Sequence, residues 1–326
     1  VIQFILRRLV ATLPVLVGVT FLVVAATKLI PGSPGAMRGQ KLTRAEVLAI
    51  DAKFGYDRPL LVQYASYVTK VARGDLGESW SHSRPVWDEL RERFPATIEL
   101  AAAAMLIATV LGVAMGALAA VKPRGFLDWS VMTIALVGLS MPVFWLGVLL
   151  QMRFAITFRL SATVPIEQVT GFYVIDALLA RDGPLLVEVL KHLLLPAVAL
   201  ATIPLATIAR LTRASLLEAL QQDYVRTARA KGLAPRAVVL KHAFRNSLIP
   251  LVTAFGLQLA ALLGGAVLTE TVFAWPGVGK YIVDAATSKD LPALQGAVLV
   301  VSVVYIVANL IVDVSYGLID PRVRVE

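Results

Sequence analysis

The sequence predicts an all-α polytopic membrane protein with six transmembrane helices. Three observations carry this. First, the 326-residue chain is 58% hydrophobic and 16% charged, with a mean hydropathy of +0.75, whereas soluble domains are about 45–50% apolar and about 25% charged. Second, six uncharged runs occupy residues 9–27, 100–121, 129–152, 193–209, 246–269 and 291–312, and about 20 apolar residues span a bilayer as a helix. Third, leaving aside the long segment 31–96, Lys and Arg collect on alternate loops, as the bias toward cytoplasmic positive charge requires.

The first run follows Arg7-Arg8, like a signal peptide, but it is long for a secretory apolar region and no cleavage site follows. It is read as an uncleaved first span, within a segment 1–30. Residues 31–96 are long enough for a small helical extracytoplasmic subdomain. Thr43-Arg44-Ala45-Glu46 is a capping box ahead of Val47, Leu48, Ile50 and Phe54, with Gly55 as the stop. Pro59 opens a second helix, with Leu60, Tyr64, Tyr67, Val68 and Val71 on one face and Gly74 at its end. Pro85 opens a third, with Val86, Leu90 and Phe94, ended by Pro95. A docking or lid element and a plain connector both fit; the length and the three ordered caps favour the former. Residues 97–326 hold the remaining five spans. The third carries Ser140-Met141-Pro142 at its middle. The fourth is the shortest, could begin near Leu185, and contains Pro196 and Pro204. Proline removes a backbone donor, so these are candidate kinks that line a pathway.

Arg7, Arg8, Lys122, Arg124, Arg322 and Arg324 fall on one side, together with the cations of 210–245; the short loops on the other side carry fewer, and the segment 31–96, though rich in Lys and Arg, is too long for its charge to set topology. Both termini are therefore expected in the cytoplasm. The net charge of +9 follows membrane sidedness, so no nucleic-acid partner is expected. There is no Cys, and His82, His192 and His242 lie far apart, so no metal site is expected. Gly279-Lys280 invites a phosphate-loop reading, which fails: that motif needs Gly at 274 and Ser or Thr at 281, where Ala274 and Tyr281 stand. No nucleotide site or cofactor is expected in this chain. Glu99 and Asp313 sit at span ends and read as interface caps or helix-to-helix hydrogen bonds rather than a proton relay.

A transporter with neither relay nor nucleotide site needs external power, which directs attention to the basic loop 210–245. Leu216, Leu217 and Leu220 form an apolar face ahead of Asp223, which can cap a new helix. Ala228, Ala230 and Gly232 remove bulk, and Arg226, Arg229, Lys231 and Arg236 surround them with charge. Insertion into a partner's groove and a solvated loop are both open on spacing alone. A membrane-embedded enzyme or receptor using this loop for signalling is a further alternative.

Asp223-Tyr224-Val225-Arg226-Thr227-Ala228-Arg229-Ala230-Lys231-Gly232-Leu233, then His242-Ala243-Phe244-Arg245-Asn246 and Pro250, resembles the coupling loop of binding-protein-dependent ABC importer permeases. Aligned on Gly232, Arg226 replaces the general acidic residue, Thr227 and Ala228 take the small positions, and Arg245 replaces the final proline. These departures match the dipeptide/oligopeptide branch. Phe4-Ile5-Leu6-Arg7-Arg8, Ile30-Pro31-Gly32, Gly74-Asp75-Leu76-Gly77, Ser140-Met141-Pro142-Val143-Phe144-Trp145, Thr269-Glu270-Thr271-Val272-Phe273-Ala274-Trp275-Pro276-Gly277 and Asp320-Pro321-Arg322 resemble the same branch, in order. Gly171-Phe172-Tyr173-Val174-Ile175-Asp176 is similar to a segment of its dipeptide permeases.

The resemblance implies a type I ABC importer transmembrane domain in a bacterial cytoplasmic (inner) membrane. It implies a heterodimer with a second, paralogous permease, contact with membrane lipid, two ATPase subunits that carry ATP and Mg, and an extracytoplasmic peptide-binding protein. Residues 223–232 would be the ATPase-coupling helix. Glu270, Phe273, Trp275, Pro276 and Gly277 would gate the outer mouth or contact the binding protein. Ser140, Met141 and Pro142 would form a pathway kink. A nickel chelate, glutathione or haem on the same scaffold is the alternative cargo.

Overall fold

The computed structural model describes residues 2–29, 43–46, 52, 55, 57–154 and 169–319, and the described residues are helical with one isolated β-bridge, Glu78 to Pro85. Two helices form a spine: α3, Val86–Val121, and α7, Gly183–Leu220. At 1.5 Å per residue each is more than about 50 Å long. Around them lie α1 (Ile2–Leu29), α2 (Leu60–Ala72), α4 (Phe126–Ser140), α5 (Val143–Phe154) and the short α6 (Tyr173–Leu179). After the spine come α8 (Asp223–Ala230), the single turn α9 (Pro235–Ala237), a π-helical segment Val238–Ala243, and α10 (Phe244–Gly265). The chain continues through α11 (Val267–Val272), α12 (Val278–Thr287) and α13 (Leu291–Ile319).

Small residues make the spine. Ala104, Ala108, Gly112, Gly116 and Ala120 recur at four-residue spacing on one face of α3, and all are buried. Gly112 faces Leu205 and Ile208, and Gly116 faces Ala209 and Thr212, so the two helices run parallel. A Cβ at Gly116 would overlap the Ala209 carbonyl oxygen and stand 2.6 Å from Thr212 Cβ. In a bilayer, where lipid is as apolar as Leu, such backbone approach is what lets helices associate. α7 runs unbroken through Pro196 and Pro204, which are themselves buried; packing offsets the hydrogen bonds those prolines remove. Asp182 caps α7, its carboxylate accepting from Leu185 N at 3.0 Å.

α3, α7 and α13 are each long and apolar enough to cross a membrane alone. The third sequence run is not one rod, however: α4 and α5 meet at 100°. Pro142 pushes Met141 into the extended region (φ −88°, ψ 124°), as the residue before a proline is pushed. The last bond of α4 is Met141 N to Val137 O, 3.1 Å, and the first of α5 is Leu146 N to Pro142 O, 3.0 Å. The fifth run is likewise bent, by 52° at Leu248–Pro250. α1 carries a shorter apolar stretch, Val10–Ala26. The six apolar runs thus appear as three single helices, two bent pairs and α1 among the described residues; the break expected at Pro142 forms, and those expected at Pro196 and Pro204 do not.

In the segment 31–96 the capping box forms: Thr43 N donates to Glu46 Oε2 at 2.7 Å and Glu46 N to Thr43 Oγ1 at 3.4 Å. Gly55 and Gly74 take positive φ as stops. Val47, Leu48, Ile50, Phe54, Ile30-Pro31-Gly32 and Asp320-Pro321-Arg322 lie outside the described residues. The helix opened at Pro85 does not end at Pro95; it passes through Pro95 and becomes α3. That continuity makes residues 86–96 the upper part of the spine.

Replacing Gly116 with Ala should cost about 1–3 kcal/mol, the range for overpacking, and lower the midpoint of thermal unfolding in detergent. Gly183→Ala, where an added Cβ meets nothing within 4 Å, serves as the control and should leave it in place.

Candidate functional site

α8 follows the turn Gln221-Gln222 directly below the spine. Gln222 takes the N-cap position, so Asp223 is the first helical residue rather than the cap the sequence predicts. There its charge meets the positive end of the helix dipole, and it lies 3.6 Å from Arg226 with both side chains open to solvent. An 8-residue helix is too short to persist alone. It is held by burial of Val225 and Ala228 against Ala120 of α3, Leu216 and Ala219 of α7, Val238 and Ala243. Ala228 therefore packs inside this chain and is not part of the exposed face of α8. The basic loop is also shorter than 210–245: Arg210–Leu220 still belongs to α7, and α10 has begun by Phe244.

Gly232 N donates to Arg229 O at 3.0 Å and Leu233 N to Ala228 O at 3.4 Å. With Gly232 at φ +74°, this pair of bonds is the Schellman stop, which puts a left-handed residue just past the helix. The glycine is required by conformation; a Cβ there would meet nothing within 4 Å. What α8 presents outward is Tyr224, Arg226, Thr227, Arg229 and Ala230, followed by Lys231, all exposed. The arrangement is a rigid cationic ridge with open space at its C-terminal end.

The opposite end of the spine is a lock around Glu270. Its carboxylate is fully buried and accepts from Thr97 Oγ1 at 2.8 Å and Lys280 N at 3.0 Å, with Gly279 N as a further donor. Thr97 Oγ1 in turn accepts from Val278 N at 2.9 Å, and Trp275 Nε1 donates to Ala96 O at 2.8 Å. These bonds tie α3 to α11 and α12. The Gly-Lys stretch that resembles a phosphate loop thus does bind an anion at a helix N-terminus, but an internal one. A Cβ at Gly277 or Gly279 would collide with the Glu270 carboxylate or with Val267. Glu270, Trp275 and Gly277 lie inside the fold, while Phe273 and Pro276 are half-buried; surface contact by this segment falls to the latter two. Nearby, Glu99 accepts from Tyr173 N (3.0 Å) and Val174 N (2.7 Å), the helix-to-helix bond the sequence predicts. Asp290 caps α13 through Ala293 N and holds Ser79 Oγ at 2.6 Å.

Ser140, Met141 and Pro142 stand at the 100° break, beside an open recess also lined by Thr133, Leu136, Val137 and Trp145. From the break, α5 reaches the Glu270 lock: a Cβ on Gly147 would meet Phe273 at 3.1 Å.

Residues 112–325 match the family described as the binding-protein-dependent transport system inner membrane component, and residues 1–101 match the N-terminal component of the same system. The chain belongs to this family. Similar proteins include the di/tripeptide transport system permease of Pseudomonas aeruginosa strain UCBPP-PA14 (47% identical, 99% of both chains) and the dipeptide transport system permease of Escherichia coli strain K12 (43%, 99% of both). The dipeptide transport system permease of Alkalihalophilus pseudofirmus is 41% identical, again over 99% of both.

In this inner membrane component, sequence reasoning missed Thr97, Asp290 and the pair Asp128–Arg213. Thr97 and Asp290 gave no periodic signal. Asp128 did: it sits three residues past Gly125, where an acidic residue supports a helix start.

Burial pushes the Glu270 carboxyl from 4.5 up to about 6, against the pull of its hydrogen bonds. A pKa raised by folding gives stability that is complete below about 4.5 and lost as pH rises through about 6. The loss is about 2 kcal/mol. Thermal unfolding of the wild type should fall across that window, and Glu270→Gln should flatten it; equal slopes would contradict the assignment.

Proposed function

We propose that this chain is the permease subunit of an ATP-driven ABC importer that translocates dipeptides or short oligopeptides delivered by a substrate-binding protein. The observation that carries the reading is α8. It is a short basic helix, fixed to the spine by Val225 and Ala228 and closed by the Gly232 stop, in a chain whose relatives are named as dipeptide transport permeases along 99% of their length.

In this reading α8 faces the cytoplasm, as do both termini, and its exposed ridge seats in a cleft of an ATPase subunit. Two such ATPases carry the ATP and Mg; this chain has the role of a pore-forming subunit and catalyses nothing itself. A second permease faces it across the pathway. ATPase closure draws the two α8 helices together. Because α8 is packed on the ends of α3 and α7, the displacement is passed to the spine as a lever rather than absorbed in a loop. The spine reaches the Glu270 lock, so the far mouth opens as the near one closes. Hydrolysis resets the cycle. Phe273 and Pro276, half-buried beside the lock, are placed to meet the binding protein or to gate the mouth, and the Ser140–Pro142 break borders the pathway.

Proteoliposomes holding the whole complex and supplied with the binding protein should accumulate labelled dipeptide only with ATP. Gly232→Trp should abolish that uptake and leave membrane insertion intact: a side chain at φ +74° strains the stop of α8, while its Cβ meets no other part of the chain. Normal uptake by the variant would contradict the seating of α8; uptake of a nickel chelate, glutathione or haem in place of peptide would correct the cargo.

A further inference from the structure

An ion pair shielded on its acidic side joins α4 to the spine. Asp128, in the first turn of α4, has a side chain only 6% exposed; Arg213 of α7 is 28% exposed. The guanidinium grips the carboxylate with two bonds, Nε to Oδ1 and Nη2 to Oδ2, the latter at 2.7 Å. Arg124 N adds a third, to Oδ2 at 2.8 Å, and Arg124 itself holds a positive φ of 62°. The carboxylate therefore also fixes the turn that starts α4. By comparison, the Arg226–Asp223 pair is 77% and 97% exposed and the Arg8–Asp313 pair 52% and 26%. Exposed pairs contribute little; a shielded, two-pronged arginine pair fixes geometry.

Its position matters more than its strength. Arg213 lies one helical turn ahead of Leu216, the fully buried residue on which α8 packs. Asp128 is at the foot of α4, whose upper end is the break at Met141–Pro142. Along α4 the other buried residues are only Val131 and Ala135, so apolar packing against the spine is a narrow seam. The foot is held by charge instead.

We propose that Asp128 and Arg213 form a strut that carries movement of α8 to the α4–α5 break. When the α8 end of α7 moves, the foot of α4 must move with it. The narrow seam lets α4 pivot, and α5 passes the change to Phe273 beside the Glu270 lock. Both residues are positioning residues: neither touches cargo or nucleotide. This rests on the reading of α8 as the ATPase-coupling helix.

The test uses the complete reconstituted complex. The chain has no cysteine, so Ser140→Cys places a single thiol in this subunit at the break, and its labelling is compared with and without ATP. In Asp128→Asn and Arg213→Gln, the ATPases should stay attached and hydrolyse ATP. Peptide taken up per ATP should fall about tenfold, the size of an ordinary coupling free energy, and the ATP-dependent change in labelling at 140 should disappear. The double variant, Asp128→Asn with Arg213→Gln, should lose no more than the worse of the two single variants, as a direct interaction requires. If either single variant unfolds, Arg213→Lys replaces it: the charge stays but the fork is lost, and uptake per ATP should drop with hydrolysis intact. Unchanged uptake per ATP and unchanged labelling in the single variants would overturn the strut. So would a double variant whose loss is the product of the two single losses. Failure of the α8 reading shows separately, as ATPases that remain bound and active when Arg229→Glu reverses the charge of the ridge.

Discussion

At Gly112 and Gly116 the backbones of α3 and α7 come so close that an added Cβ would strike the facing helix. Both ends of the molecule depend on that approach. Thr97 and Glu99, near the top of α3, anchor the Glu270 lock and the N-terminus of α6. Ala120 at its foot, with Leu216 and Ala219 of α7, seats α8. Two long helices without small residues would stand further apart, and the seat for α8 would lose a wall. Packing of this kind is stiff and has few alternative arrangements, which suits the role proposed for the spine as a lever between α8 and the Glu270 lock.

Charge does its work at the ends of this spine. Glu99, Asp128, Asp176, Glu270 and Asp290 are buried, and each accepts backbone amide hydrogen bonds at a turn or helix start. Buried carboxylates are costly unless so satisfied, and once satisfied they fix irregular backbone that apolar contacts cannot. This explains how an all-helical protein with a break at Pro142 and short helices at both ends keeps defined corners. It also explains why Pro142 breaks its helix when Pro196 and Pro204 do not: the latter are buried within α7, while Ser140 and Pro142 stand exposed.

Much of this could be read from the sequence, for identifiable reasons. Apolar runs located the helical segments, because length and hydropathy are one-dimensional properties. The capping box at Thr43, the stops at Gly55 and Gly74, and the start near Leu185 were legible as local chemistry. Tertiary packing was not. The sequence ends a helix at Pro95 and marks Pro142, Pro196 and Pro204 alike as kinks; the structure continues the first helix, breaks of these three only at Pro142 and runs unbroken through the other two, differences that depend on neighbours. Ala228 and Gly232 were recognised as special, yet for a partner's benefit. In the structure Ala228 packs inward and Gly232 closes a Schellman stop. Glu270, Trp275 and Gly277 read as an outer gate or a contact for the binding protein; that Thr97, 173 residues away from Glu270 in sequence, draws them into the fold is not visible in a linear pattern. The four-residue stripe from Ala104 to Ala120 was visible all along and is the signal that would have revealed the spine.

The central claim is that the exposed ridge of α8 is where an ATPase grips this permease. A photo-crosslinking residue placed singly at Tyr224, Thr227 or Ala230, and at Val225 as a buried control, tests it in intact membranes. The account predicts adducts with an ATPase subunit from the three exposed positions, with yields that change between nucleotide-free and ATP-bound states, and none from Val225. Adducts only to lipid or to this chain from all three exposed positions would contradict it.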